Sequence, residues 1–415
     1  MSELVDNFPG YVKKTKLAIV LSALLDEPFT SLYILLPFIL NKSLGATTFQ
    51  IVILMMLKPA VSVFSFYWSL WILKRKDKLR LNLISAEIFS RLPFFFFLFF
   101  NNIWYVIFAA AFHMFFSRAA IPAWMEIIKL NISNKKRDKL FSFGMALGYA
   151  EGVVIAIFLG AFLDKYQDVW KILFFISASL GMFSVLLKAL VPIKGETKEI
   201  VSIYNLSFLQ KIKKPWINLF KLMKTRPDFA RFQWGYMISG FGLMIFLPIL
   251  PEFFNNVLFL SYKELSIVRL IFQGIGFVIT ANLWAKLIGK IAVNYFTSLV
   301  FLSFGAFPFC LLFGIYSFYW VALAYFIYGV SQAGSRLVWH MSGPIFSKDK
   351  DSTQYSGINI VMVGIRGIIA LPLGGILNYF AGPYVVLVIG ILCSLLGSYL
   401  LLVNVPKRLL LPLVR

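Results

Sequence analysis

Long apolar runs separated by short polar gaps fill this 415-residue chain. Twelve runs can be drawn, at residues 17–40, 48–73, 81–100, 103–127, 140–163, 169–191, 229–251, 262–286, 290–313, 318–346, 354–380 and 383–405. Each has about 20 residues or more, enough for a helix to cross roughly 30 Å of hydrocarbon. The pattern predicts an all-α integral membrane protein of 12 transmembrane helices. Residues 192–228 are the only long interior gap, and they divide the runs six and six.

Composition agrees, with 60% apolar and only 14% charged residues. The positive charges then orient the chain. Lys and Arg crowd into alternate gaps: Lys13, Lys14 and Lys16 before the first run, then Lys74, Arg75, Lys76, Lys78 and Arg80 after the second. The intervening gaps carry little, and only Lys42, Lys165, Lys171 and Lys263 fall on the other side. The split is 29 against four, with the rest inside apolar runs. By the positive-inside rule both termini are expected in the cytoplasm. The net charge of +22 is spread over these short flanking loops, where it meets anionic lipid head groups, and no nucleic-acid module is visible.

The first run contains Asp26 and Glu27 and continues for a full span, so it reads as a retained helix, not a cleaved signal. Cys310 and Cys393 lie in separate apolar runs and read as small buried hydrophobes, not a disulfide. In the 192–228 gap, Ile203, Leu206, Leu209, Ile212, Trp216, Leu219, Phe220 and Met223 alternate with lysines. That pattern suits short amphipathic helices on the lipid surface. The expected organisation is a helical bundle over 1–191, this linker over 192–228, and a second bundle over 229–415.

The two halves look related. Leu36-Pro37 matches Leu247-Pro248, Ser117-Arg118 matches Ser335-Arg336, and Glu151-Gly152 matches Arg366-Gly367, in the same order and at nearly constant offset. A parallel internal duplication of this kind is typical of secondary transporters, whose site lies where the repeats meet. On these features the chain resembles the major facilitator superfamily along essentially its whole length. The run Lys74-Arg75-Lys76-Asp77-Lys78-Leu79-Arg80 resembles that family's basic gate motif, without its usual glycines and preceding aspartate. Arg118 resembles the arginine of the proton-antiporter motif, whereas the fifth run lacks the Gly-Pro signature of drug antiporters. The resemblance implies that helices 1, 2, 4, 5, 7, 8, 10 and 11 surround a central cavity and that helices 3, 6, 9 and 12 support them. It implies two pseudo-symmetric six-helix bundles and alternating access.

Charged residues within a membrane are costly unless paired or wetted, so each is a functional candidate. On the helices expected at the cavity these are Asp26, Glu27, Lys58, Arg118, Glu151, Arg269, Arg336 and Arg366. Five bases outnumber three acids, and the second half contributes only arginines. Arginine suits bidentate contact with carboxylate or phosphate. Lys58, Arg118, Arg269, Arg336 and Arg366 are therefore expected to bind an anionic organic solute, with Asp26, Glu27 and Glu151 as proton-coupling groups. The alternative is a structural network, with Glu151 paired to Arg366 or Arg118, and Asp26 or Glu27 to Lys58. Glu87 and Arg91, four apart, are expected to satisfy one another. Lys188 sits near a helix end, where it can snorkel. His113 reads as packing among Phe112, Phe115 and Phe116, and His340 as a possible relay. Lys74, Arg75, Asp77, Arg80 and Glu126 are assigned to a cytoplasmic gate.

Prolines and glycines in the first, second, seventh and eleventh runs fit either bends or close packing. No HExxH, GxSxG or GxxxxGK[ST] occurs, so no enzyme, metal or cofactor is expected. The expected function is secondary transport of a small anionic solute, with protons or a counter-ion. Efflux of amphipathic drugs or lysolipids is the alternative. The expected setting is a bacterial inner membrane, as a monomer contacting lipids and no nucleic acid.

Overall fold

The computed structural model describes residues 9–74, 78–132, 134–166, 168–193, 217, 220–288, 290–347 and 353–403. Nearly all are helical; the described residues contain no strand beyond one isolated bridge, Ile288 to Ile291. The elements are α1 (Pro9–Leu44), α2 (Thr48–Lys74), α3 (Leu79–Arg91), α4 (Ile103–Asn131), α5 (Asn134–Lys165) and α6 (Val169–Ala189). They continue with α7 (Pro227–Ile245), α8 (Tyr262–Leu287), α9 (Val293–Leu312), α10 (Phe318–Ser347) and α11 (Thr353–Leu402). Among the described residues, eight helical stretches are long and apolar enough to cross a membrane. Large apolar side chains such as Phe183, Leu186, Ile376 and Leu392 point outward, as hydrocarbon permits.

Local chemistry sets the ends. Gly45, at φ +68°, stops α1 in a left-handed turn that lets the Ala46 N–H reach back to the Leu40 carbonyl at 2.9 Å. Asn102 caps α4, its side chain accepting from Trp104 N at 2.8 Å. Pro93 lies two residues past the end of α3, and the chain tightens there into a 3₁₀ stretch, Leu92–Leu98. The expected eleventh and twelfth runs form one continuous stretch, α11, broken only at Gly382 with φ +78° and followed by Pro383. After α7 the chain passes through short turns around Pro248 and Pro251 before a π-helical turn, Phe253–Val257.

The chain forms two compact units. The first comprises the described residues of Met1–Ile203 together with Ser261–Leu270, the opening turns of α8. The second comprises those of Tyr204–Leu260 and Ile271–Arg415. In the first unit, Phe94 and Phe97 pack on Phe174 and Trp170, with ring centroids 5.3–5.5 Å apart. Small residues elsewhere, Ala86, Ala120 and Ala123, let α3 and α4 approach. The second unit is built on buried rings: Phe229, Phe232, Tyr236, Phe296 and Phe304. There α7 and the 383–402 arm of α11 touch through glycine, since a Cβ on Gly242 would lie 2.6 Å from the Gly390 carbonyl.

The opening turns of α8 are held by the first unit. A capping box joins Ser261 and Glu264. Asp164 of α5 accepts from the N–H groups of Tyr262 and Lys263, both at 2.8 Å. Gly160, one turn earlier, permits this approach: a Cβ there would lie 2.6 Å from the Lys263 Cα. Tyr262 also bonds Ser43 near the end of α1 at 2.7 Å. Beyond these turns α8 widens to a π-helix at Ile267–Phe272, which contains Arg269.

Candidate functional site

A cavity of about 370 Å³ opens in the first unit among α1, α3, α4 and α6. Its floor is a closed ring of four charges. Asp26 of α1 bonds Arg91 of α3 at 2.6 Å and Lys188 of α6 at 3.1 Å. Glu87 of α3 bonds the same two cations, Arg91 at 2.9 Å and Lys188 at 2.7 Å. Ser184 of α6 adds a hydroxyl donated to Asp26 at 2.9 Å. Each cation thus lies between two carboxylates, and the ring is neutral.

Helical spacing builds the ring. Glu87 and Arg91 are one turn apart on α3, as are Ser184 and Lys188 on α6, so each pair shares one face of its helix. Gly181 leaves room for the arginine, because a Cβ there would collide with the Arg91 side chain. Three of the four side chains are nearly enclosed. Lys188 is 7% exposed, Arg91 9% and Glu87 10%, whereas Asp26 keeps 26% open. All four line the cavity, and Asp26 is the most open of them.

Aromatic groups wall the cavity: Phe29, Tyr33, His113 and Trp124. His113 lies between Phe29, Tyr33 and Phe94, at 4.8–5.7 Å, and its Nδ1 sits 3.0 Å from the Ser90 carbonyl. A carbonyl only accepts, so Nδ1 carries a proton. The expected packing role holds, with partners on α1 and α3 instead of neighbours along α4.

Three expected readings change here. Glu87 and Arg91 are not a self-contained pair, and Lys188 does not snorkel; both belong to the ring. Asp26 takes its cations from α3 and α6, not from Lys58 of α2. The neighbouring Glu27 turns away toward α5. Its carboxylate rests against Gly148 and Gly152, where an added Cβ would lie 3.1 Å from its oxygens, and accepts from Ser31 at 3.2 Å. Glu151 is half-buried on α5, and Arg118 half-buried on α4 beside cavity-lining Ser117. Lys58 is exposed.

Among the described residues of the second unit the buried charge is Arg366 of α11, 5% exposed. Its NH1 donates to the Tyr236 carbonyl of α7 at 2.9 Å, and the guanidinium lies 5.3 Å from the Tyr236 ring. It packs so tightly on Gly240 that any Cβ there would overlap it. No carboxylate contacts it among the described residues. Arg336 of α10 is exposed and lies 4.9 Å from the Phe277 ring. Arg269, in the first unit, lies 5.0 Å from the Phe38 ring. Of the expected gate, Arg80 donates to the Val191 carbonyl at 3.2 Å and Glu126 is half-buried on α4. The Lys74 side chain, Arg75, Asp77, the His340 side chain and most of the linker lie outside the described residues.

Residues 29–341, three quarters of the chain, match the family model of the Major Facilitator Superfamily. The chain belongs to that superfamily. It is accordingly a multi-pass membrane transporter and not an enzyme. Solved structures of similar fold include a mutant form of the nucleoside transporter NupG, with a TM-score of 0.72 and 14% identity, covering 95% of this chain and 99% of that one. A POT family transporter in complex with 5-aminolevulinic acid has a TM-score of 0.71 at 14% identity, covering 95% and 96%. A D-xylose-proton symporter has a TM-score of 0.64 at 14% identity, covering 96% and 99%. Among curated proteins none matches in sequence.

Superfamily membership also explains what sequence reasoning misses. The resemblance assigns helices 3 and 6 to outer support, which sets Glu87, Arg91 and Lys188 aside. The signal is present as two i, i+4 polar pairs, Glu87/Arg91 and Ser184/Lys188, with Gly181 one turn before Ser184. What periodicity lacks is the long-range partner, Asp26, which lies 65 residues from Arg91 in the chain.

Proposed function

We propose that this superfamily member is a secondary active transporter that moves a small anionic organic solute by alternating access. The observation that carries the anionic reading is Arg366, a buried guanidinium with no carboxylate against it among the described residues. Burying a charge without an opposite partner is strongly unfavourable, and a bound anion relieves that penalty. Arg118, Arg269, Arg336 and Lys58 complete the proposed solute-binding set. Coupling is to protons through Asp26, Glu27 and Glu151, or to a counter-anion. A D-xylose-proton symporter among the similar structures supports the proton version.

The architecture proposed is 12 transmembrane helices in two six-helix bundles, residues 1–191 and 229–415, joined by a lipid-bound linker over 192–228. Both termini lie in the cytoplasm, with a gate at Lys74, Arg75, Asp77, Arg80 and Glu126. The broken α11 supports two spans in that stretch, and the two compact units support the division except at Ser261–Leu270, which groups with the first. The protein acts as a monomer in a bacterial inner membrane.

Counterflow in liposomes tests this reading. The panel holds sugar phosphates, nucleotides, mono- and dicarboxylates, lysophospholipids and cationic drugs. Flux of an organic anion, reduced at least about tenfold by Arg366→Gln, is expected. Flux of cationic or neutral amphiphiles, indifferent to Arg366→Gln, would make the arginine structural and the protein an efflux pump.

A further inference from the structure

We propose that the donors of Arg91, Ser184 and Lys188 form a carboxylate site, held here by Asp26, and that a solute monocarboxylate displaces Asp26, which takes up a proton as it leaves. This inference rests on the anion reading and deepens it. It names a second anion-binding element, its ligand class and the coupling stoichiometry.

The geometry is that of an anion site already filled. A guanidinium at 2.6 Å, a hydroxyl at 2.9 Å and an ammonium at 3.1 Å converge on the two oxygens of one carboxylate. These are the donor types that bind a free carboxylate. The Asp26 carboxylate comes from a different helix than any of the three donors. It is also the most accessible group of the ring, at 26% against 7–10% for the others. Pro28, two residues on, removes the backbone bond to the Leu24 carbonyl, so α1 is weakly braced beside Asp26. Glu87 holds the same two cations but is enclosed and shares α3 with Arg91.

Charge fixes the ligand class. With Glu87 retained, Arg91 and Lys188 leave one positive charge, which one monoanion neutralises. The cavity walls beside this point are Phe29, Tyr33, Ile34 and Trp124. They suit a monocarboxylate with an apolar or aromatic body.

The same exchange moves a proton. While Asp26 holds the two cations it needs none. Once a solute carboxylate takes those donors, Asp26 is a lone carboxylate in a low-dielectric bundle, and it accepts one proton on a carboxylate oxygen from the water in the cavity. One anion and one proton enter together, so the step adds no net charge. The other groups facing Asp26 do not substitute for it. Arg91 and Glu87 on α3 and Lys188 on α6 are the ring itself, and Ser184 is a neutral donor. His113 on α4 donates its Nδ1–H to the Ser90 carbonyl, and uptake at its Nε2 in place of Asp26 would survive in Asp26→Asn. Glu27, adjacent on α1, faces Gly148 and Gly152 of α5, with Glu151 of that helix within its electrostatic reach.

The test is calorimetric titration of the purified full chain with benzoate, in two buffers of different ionisation enthalpy. The wild type is expected to take up about one proton per benzoate bound. Asp26→Asn should bind benzoate with no proton uptake, and Lys188→Gln should bind at least about tenfold more weakly. The proton count in the wild type stands alone if a variant fails to fold. Benzoate binding without proton uptake would overturn the exchange. Binding weakened by Arg366→Gln but not by Lys188→Gln would place the anion elsewhere. No binding of benzoate or hexanoate, alongside Arg366-dependent flux of another anion, would overturn this inference while leaving the anion reading intact.

Discussion

Arg91 is the residue on which the first unit's polar interior turns. It touches both acids of the ring and is 9% exposed. Removing one member of an enclosed ion pair leaves its partners buried and unmatched, which costs about 3–5 kcal/mol. Arg91→Met is therefore expected to lower the unfolding free energy in detergent by that order. The double variant Arg91→Met, Glu87→Gln restores charge balance and should recover part of the loss. A double variant as unstable as the single one would show that packing on Gly181, not charge, is what Arg91 supplies. The sequence exposes half of this arrangement. Glu87 and Arg91 are visibly a pair because helical spacing is local information. Their link to Asp26 and Lys188 depends on which helices lie side by side, and no periodicity in α1 or α6 encodes that. Lys188 is hidden for a related reason: near a helix end, a lysine aimed at lipid head groups and one folded inward have the same sequence.

At the scale of the elements, the start of α8 is bound to α5 by chemistry with little tolerance. Asp164 satisfies two of the N–H groups that a helix start leaves unpaired, Tyr262 and Lys263, both at 2.8 Å. Asp164→Ala is expected to destabilise by about 0.5–2 kcal/mol, the range for loss of such a cap. Hydrogen exchange should speed up selectively at residues 262–264, while the buried amides of α9 stay protected. Gly160→Val should be more severe, because its side chain would meet Lys263 backbone instead of a movable side chain. Uniform exchange changes across both units would argue against a local clasp. Here the sequence is a good guide to position and a poor guide to purpose. Apolar run lengths place α8 within a residue at each end and the end of α5 within two, whereas α5 starts six residues ahead of its run and takes in the charged stretch 135–139. Asp164 draws no notice in the sequence because an acid in a loop-proximal turn is ordinarily solvated. The break within α11 is legible, since Gly382-Pro383 is a strong helix interruption.

For the whole molecule, the expectation still to be measured is sidedness. The family and the helices make it a membrane protein, but sidedness comes from charge alone, through 29 Lys and Arg on one side against four on the other. Most of those basic residues sit in short loops, where translocation across the membrane is most sensitive to them. The docking of α8 adds an independent constraint. Lys165, at the end of α5, and Lys263, at the start of α8, lie on either side of the Asp164 contact and so must share a side. Both belong to the sparse set. Cysteine scanning can decide the matter, because Cys310 and Cys393 lie within helices and can be replaced first. In that background, Lys42→Cys and Lys263→Cys should react in intact cells with a charged, impermeant maleimide. Lys14→Cys and Lys224→Cys should react only after the cells are opened. If Lys42 and Lys263 fall on opposite sides, the alternation of spans between them is broken, and the 12-helix arrangement fails in the stretch from α1 to α8. If all four positions invert together, the arrangement survives, but its orientation, and the assignment of the basic gate to the cytoplasm, are wrong.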